Sequence, residues 1–186
     1  MTPPRRAFRR RLRQGTSRAV LAGMPPPADR THSYHTWLNW SDGRGALAAR
    51  GRPLLPVAVP REFGGPGDEW SPEELLVGAT EACMMATFTA LAKRRGLLLA
   101  GCHSSATGTL GRSPAGFAFT GVSIALRIAV RSEGDRAVAA AVAEQAHSAC
   151  FIGSTLRCPV ALDYTIEVAE AVGDAGFPAP ASGRAS

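Results

Sequence analysis

The sequence predicts an α+β fold, antiparallel sheets packed on two main helices, and three observations predict it. Period-two alternation of apolar and polar residues recurs in several segments, which marks half-buried strands. Two longer segments carry helical end signals and apolar residues at helical spacing. The elements run strands, helix, strands, helix, strand, so strands are grouped apart from helices rather than alternating with them one for one. No internal repeat is visible.

Tyr34-His35-Thr36-Trp37-Leu38-Asn39-Trp40 reads as a first strand, and Ser41-Asp42-Gly43-Arg44-Gly45 carries the turn signal of a hairpin. Return strands are expected at Ala46–Ala49 and Leu54–Val59, the latter confined to a sheet edge by Pro53, Pro56 and Pro60. Gly64-Gly65-Pro66-Gly67 is a loop. The first helix then has clear ends. Ser71 is a good N-cap, Pro72 suits the first helical position, and Glu74 completes a capping box. Lys93, Arg94 and Arg95 favour the negative end of the helix dipole, and Gly96 suits a left-handed terminus. Between these ends the helix is apolar on nearly every face, so burial is expected all round it, within one domain or at a subunit interface. A strand at Gly101–Leu110, a turn at Gly111–Gly116 and a strand at Phe117–Val130 follow. Asp135 is placed to cap a second helix running to Ala149, and Val160–Val168 alternates cleanly as the last strand.

Composition bounds the rest. With 186 residues, 45% of them hydrophobic, the chain can bury one sizeable core. No uninterrupted run of 18 apolar residues suggests a membrane partner. The formal charge of +6 is concentrated at one end: residues 1–30 hold eight arginines against Asp29, a segment of +7, and the other 156 residues carry −1. The body therefore lacks the basic face that nucleic acid would need. Residues 1–33 are expected to be a disordered Arg-rich head; a basic organellar transit segment is the other reading of that head, and Met24 is a second candidate start. Residues 34–170 form the domain, and 171–186, rich in Ala, Pro, Gly and Ser, are expected to be a disordered tail. Four cysteines are too few for a disulfide scaffold, so a reducing, cytoplasmic setting is expected, with any disulfide transient and catalytic.

Cys83 lies on the first helix and Cys150 ends the second, which puts two thiols on separate rigid elements among apolar residues. A thiol attacks as thiolate, and burial among Met and Phe opposes that charge. Cys83 sits too far along its helix for the N-terminal dipole to act on it, so activation is expected to need a cation from elsewhere. Arg44, in the hairpin turn, and Arg61, before the Gly-rich loop, are the two candidates, with Glu73 placed to orient either one. Ten helical residues separate Glu73 from Cys83, about 15 Å of rise. Both can serve one site only if the helix breaks or Glu73 comes from a partner subunit. Each thiol taken alone also fits a buried structural role, as do Cys102 and Cys158. His147, Cys150 and Cys158 have possible zinc-ligand spacing, but without a CxxC or a second His pair no metal is expected. Met84, Met85, Phe88, Phe151 and Ile152 suit an apolar pocket or the core equally.

The chain resembles the osmotically inducible protein C and organic hydroperoxide resistance family (OsmC/Ohr). The resemblance is carried by Val59-Pro60-Arg61-Glu62-Phe63-Gly64-Gly65, by Trp70-Ser71-Pro72-Glu73-Glu74-Leu75-Leu76 with Ala82-Cys83, and by Ala146-His147-Ser148-Ala149-Cys150 and Pro159-Val160-Ala161-Leu162-Asp163-Tyr164. It spans Tyr34 to Val168. It implies an intertwined homodimer with two interface sites and thiol-dependent reduction of organic hydroperoxides, without a cofactor. Cys83 falls on the family's peroxide-attacking cysteine, Cys150 on its resolving cysteine, and Glu73 on the acidic partner of the active-site arginine. Arg44 matches a turn arginine of one branch and Arg61 the strand-end arginine of another. An external reductant, a dihydrolipoyl or similar dithiol, would regenerate both thiols. Two positions depart from the best-studied branches. Phe151-Ile152 replaces a common Pro-Val, and Glu81 stands two residues before Cys83, where its charge opposes a thiolate unless it points away or pairs with arginine. These departures motivate an alternative, a non-catalytic dimer of the same fold binding a small apolar ligand.

Overall fold

Asp42-Gly43 joins the first two strands as a two-residue turn, with φ of 50° and 79°. Both central residues are left-handed, as the right-handed twist of a tight hairpin demands. In the computed structural model, which describes residues 31–114 and 116–169, this hairpin pairs β1 (Thr36–Ser41) with β2 (Arg44–Ala49). β3 (Leu55–Ala58) adds antiparallel to β2 at the edge, where Pro56 lacks no ladder partner it needs. The chain divides into two units. The first, Met1–His35, is described only over Thr31–His35, which are irregular and exposed. The second, Thr36–Ser186, holds every described helix and strand. The expected head over residues 1–30 and the tail beyond 169 lie outside the described residues.

Helix α1 (Pro72–Arg94) starts where the capping box predicts: Ser71 Oγ accepts the Glu74 N–H at 3.1 Å, and Glu74 Oε2 accepts the Ser71 N–H at 2.8 Å. It ends at Arg95, with Gly96 left-handed at φ 67°. Burial all round the helix is not what the single chain provides. Thr80, Met84, Phe88 and Ala92 form one buried stripe at i, i+4 spacing, and Leu75, Leu76, Val77 and Met85 are half-buried. Among the described residues α1 is also the one helix long and apolar enough, by length and composition, to cross a membrane. An uninterrupted-run criterion misses this because Glu81 breaks the run.

The second sheet has the order β4-β5-β6 and holds the core. β4 (Leu99–Ser113) and β5 (Gly116–Val130) form a hairpin of two 15-residue strands, longer than expected because Gly111-Arg112-Ser113 continue the ladder against Ala118, Phe117 and Gly116. Gly111 reads as a breaker in sequence; in the sheet, a side chain there would meet Thr120 Cγ2 at 2.8 Å. Val122, Ile124, Leu126, Ile128 and Val130 are the buried face of β5. They pack with Met84 and Phe88 of α1 and with Ala139, Val142, Ala143 and Ala146 of α2 (Arg136–Ser148).

Three details correct the sequence reading. β6 (Val160–Val168) runs parallel to β5, from Val122↔Val160 to Val130↔Val168, so this sheet is mixed rather than purely antiparallel. The connection between the two strands is a helical crossover, which returns the chain to the starting end of β5. Asp135 stands at the N-cap of α2 as expected, but its side chain makes no capping hydrogen bond. It closes a 3-10 turn over Glu133–Asp135, and its carboxylate accepts the Ser132 hydroxyl at 2.8 Å. A short helix α3 (Phe151–Thr155), absent from the sequence reading, follows Cys150 directly.

The loop before α1 is built around Gly65. The Pro60 carbonyl accepts the N–H groups of Phe63 and Gly65, both at 3.0 Å, and Phe63 packs edge-on against Phe117 with ring centroids 5.5 Å apart. A Cβ at Gly65 would stand 1.6 Å from the Val59 carbonyl oxygen, a backbone atom that cannot swing aside. Gly65→Ala is therefore expected to cost about 1–3 kcal/mol of stability by overpacking, read as a lowered midpoint in denaturant unfolding; an unchanged midpoint would refute this account of the loop.

Candidate active site

Cys83 lies near the middle of α1, and Cys150 occupies the N-cap of α3, so the first turn of α3 is the element that both thiols share. Its backbone N–H groups have no partners within a helix this short and point at the sulfur atoms. Ile152 N–H donates to Cys83 Sγ at 3.5 Å, and Gly153 N–H donates to Cys150 Sγ at 3.4 Å. The two thiols are near enough to shift each other's ionisation. Cys150 is 3% exposed, with its thiol directed toward the Thr80 carbonyl at 3.9 Å, whereas Cys83 is half-buried beside the exposed Phe151 and Ile152.

This arrangement separates the two sulfurs electrostatically. Burial pushes Cys83 up, but hydrogen bonds from Ile152 N–H, the Cys150 thiol, Phe151 N–H and the Thr87 hydroxyl together hold it below its ordinary value. Burial pushes Cys150 up by more than the Gly153 N–H returns, and the neighbouring Cys83 adds to the rise, so Cys150 keeps its proton longer. Cys102, half-buried in β4, is pushed up to about 11 by its burial alone. Within this chain the influences that lower Cys83 are chiefly backbone N–H groups and the neighbouring thiol. A long-range spacing of 69 residues, between Cys83 and Ile152, hid them in the sequence.

Glu81, the residue whose charge threatened a thiolate, is turned aside: its Oε1 accepts the Ser104 hydroxyl of β4 at 2.6 Å. The remaining candidates lie elsewhere in the chain. Arg44 holds Asp68 through both terminal nitrogens, at 3.1 and 3.2 Å, and Glu69 at 2.7 Å. The hydrogen bond with Asp68 pushes Arg44 up and Asp68 down. Neither acid figured in the sequence reading. Arg61 lies against Gly67 of its own loop. Glu73 is in the first turn of α1, and because α1 is unbroken, it stands about 15 Å along the axis from Cys83 of the same chain. One carboxylate oxygen each of Glu69 and Glu73 is buried without a hydrogen-bond partner among the described residues.

Behind Cys150 lies a cavity of about 240 Å³. Met84, Ile124 and Val160 give it an apolar wall, and His147 and Ser154 a polar one. His147 Nε2 is 2.9 Å from the Val160 carbonyl, which fixes the ring against the start of β6. No cluster of His, Cys, Asp or Glu with metal-binding geometry occurs among the described residues. Phe88, considered for a pocket, is fully buried in the core, and Met84 both packs there and reaches the cavity.

Neutral-pH alkylation tests the separation of the sulfurs. Iodoacetamide is expected to label Cys83 before Cys150 and Cys102, since only thiolate reacts. The rate at Cys83 should rise with pH to a plateau whose midpoint lies below the ordinary thiol value, and Cys150→Ala, which removes a donor, should move that midpoint upward. A Cys83 midpoint at or above the ordinary value would contradict the hydrogen-bond account.

Comparison with known proteins now adds to the geometry. The family model described as OsmC-like protein matches residues 65–165. The uncharacterized protein YmaD of Bacillus subtilis is 24% identical over 142 residues, covering 74% of this chain and 95% of that protein. The solved structure of an OsmC-like protein of unknown function from Vibrio cholerae superposes with a TM-score of 0.67 at 17% identity, over 73% of this chain and all of that one. The organic hydroperoxide resistance protein OsmC from Legionella pneumophila has a TM-score of 0.59 at 26% identity, over 74% of this chain and all of that one.

Proposed function

The chain belongs to the OsmC-like protein family, and from that premise we propose that it is a cysteine-based peroxidase that reduces organic hydroperoxides to alcohols. One observation carries this reading: two thiols share the first turn of α3, and the more exposed of them is the more acidic. Cys83 thiolate attacks the terminal oxygen of the hydroperoxide, the O–O bond breaks, and the alkoxide leaves as alcohol after taking a proton. Cys83 becomes a sulfenic acid. Cys150 then attacks the Cys83 sulfur, water leaves, and a Cys83–Cys150 disulfide forms. An external dithiol returns both residues to thiols in the reducing cytoplasm. The apolar Phe151 and Ile152 beside Cys83 favour alkyl over hydrogen peroxide.

The site is proposed to be completed by a second copy. The unbroken α1 separates Glu73 from the Cys83 of its own chain, so a single site draws on Glu73 of the partner subunit, with Arg44 or Arg61 bridging. The exposed Trp37, Leu38 and Trp40 on β1 and the half-buried apolar faces of α1 supply surface for such an interface. Ser104 holds the Glu81 carboxylate, which removes one of the two motives for a non-catalytic ligand binder.

The test is peroxide-dependent loss of free thiols with the bridged peptides identified. Cumene hydroperoxide should join the Cys83 and Cys150 peptides in one disulfide per chain. Unchanged thiols at concentrations that oxidise free cysteine would end the proposal.

A further inference from the structure

We propose that the cavity behind Cys150 is the entry for the reductant: an unbranched alkyl dithiol inserts one sulfur there and attacks Cys150 Sγ of the oxidised protein, with His147 taking its proton. The inference rests on the peroxidase reading and assigns the route, the attacked sulfur and a further catalytic residue to its second half-reaction.

Cys150 is 3% exposed at the N-cap of α3, so its sulfur is screened from the outer surface. The cavity meets Cys150 directly, while Cys83 is not among the residues lining it. The peroxide-facing sulfur and the cavity-facing sulfur are therefore different atoms. A volume of about 240 Å³ lies below the usual range of ligand pockets. It suits a short carbon chain with a thiol at its tip and is too small to enclose a branched, multiply charged thiol peptide.

The identity of the leaving group points to the same sulfur. In thiol–disulfide exchange the sulfur that better carries negative charge departs faster. Attack on Cys150 expels Cys83 as thiolate, back onto the Ile152 N–H that holds it at 3.5 Å in the reduced protein. Attack on Cys83 would instead expel Cys150 into a buried position, where Gly153 supplies one N–H at 3.4 Å. The sulfur the cavity presents is thus also the one whose attack releases the better anion.

The attacking thiol must also lose its proton. A carbonyl oxygen only accepts, so the His147 ring nitrogen facing Val160 O at 2.9 Å carries hydrogen, and Nδ1 is the basic atom of the neutral ring. Among the described residues that line the cavity, His147 is the one side-chain base. His147 accepts a proton from the first thiol of the dithiol, and its sulfur bonds to Cys150 Sγ as the Cys83–Cys150 bond breaks. Cys83 leaves with the electron pair. The second thiol of the reductant then gives its proton to the Cys83 thiolate by way of solvent and attacks the mixed disulfide, forming the cyclic oxidised dithiol, and Cys150 leaves and recovers its proton from His147. Two electrons pass from the dithiol to the protein.

The experiment begins with the full-length protein oxidised by diamide, which forms the bridge without any peroxide. It is treated briefly with 2-mercaptoethanol, quenched in acid, alkylated and digested. The mixed disulfide is expected on the Cys150 peptide, with the alkyl label on Cys83; the reverse assignment overturns the proposal, as does failure of diamide to form the bridge. In stopped flow, dithiothreitol should reduce the bridge much faster than glutathione at equal thiol concentration. His147→Gln should slow the dithiothreitol reaction by about 10²-fold, the scale of lost general acid–base help. Ser154→Phe, an exposed rim residue enlarged to fill the cavity, should slow it as well. Wild-type rates in both variants would overturn the route, and if either variant unfolds, the adduct assignment in the native chain decides. A bridge that diamide forms and hydroperoxide does not would sink the peroxidase reading instead.

Discussion

Cys83→Ser is expected to abolish steady-state consumption of organic hydroperoxide, by at least about 10³-fold, the scale on which enzymes lose rate when the nucleophile is removed. A serine hydroxyl in the same place cannot ionise near neutral pH, so the N–H groups of Ile152 and Phe151 would have no anion to stabilise. The fold should survive, because Cys83 is half-buried and the core stripe of α1 runs through Thr80, Met84, Phe88 and Ala92 instead. A coupled peroxide assay beside an unfolding curve measures both. Full activity in a folded Cys83→Ser protein would rule out the proposed chemistry.

Cys150→Ser should fail differently. Cys83 still attacks, so the first equivalent of hydroperoxide is consumed at close to the native rate. With no second thiol to condense, the protein stops as a sulfenic acid, and excess hydroperoxide carries it to sulfinic acid, which thiols do not reverse. Intact mass should show a gain of one oxygen at stoichiometric peroxide and of two in excess, with multiple turnovers lost. If Cys150→Ser turns over like the native chain, an external thiol resolves the sulfenic acid and the buried position of Cys150 has another purpose. Together the two variants separate attack from resolution, which a single knockout does not.

Much of the fold was legible because the signals were local. Ser71, Pro72, Glu74 and Gly96 bound α1 through hydrogen bonds and dihedral preferences within a few residues. Asp42-Gly43 specified a hairpin for the same reason, and the alternation over 160–168 specified a half-buried strand. Strand direction was another matter. Period-two burial is identical in parallel and antiparallel ladders, so Val160–Val168 announced a strand without saying which way it ran beside β5. Asp135 misled because its carboxylate has a nearer partner in the Ser132 hydroxyl.

What the sequence by itself determined was the inventory: two thiols on separate elements, the capped helix that carries one of them, and the alternating strands that bury it. What only the tertiary structure decided was the electrostatics of those thiols. The core formed by Met84, Phe88 and β5 seats α1 against α2, and that packing brings the first turn of α3 over Cys83. A sulfur's charge depends on donors a few ångströms away, and here those donors are backbone N–H groups far along the chain, which every residue except proline possesses and no residue type reveals.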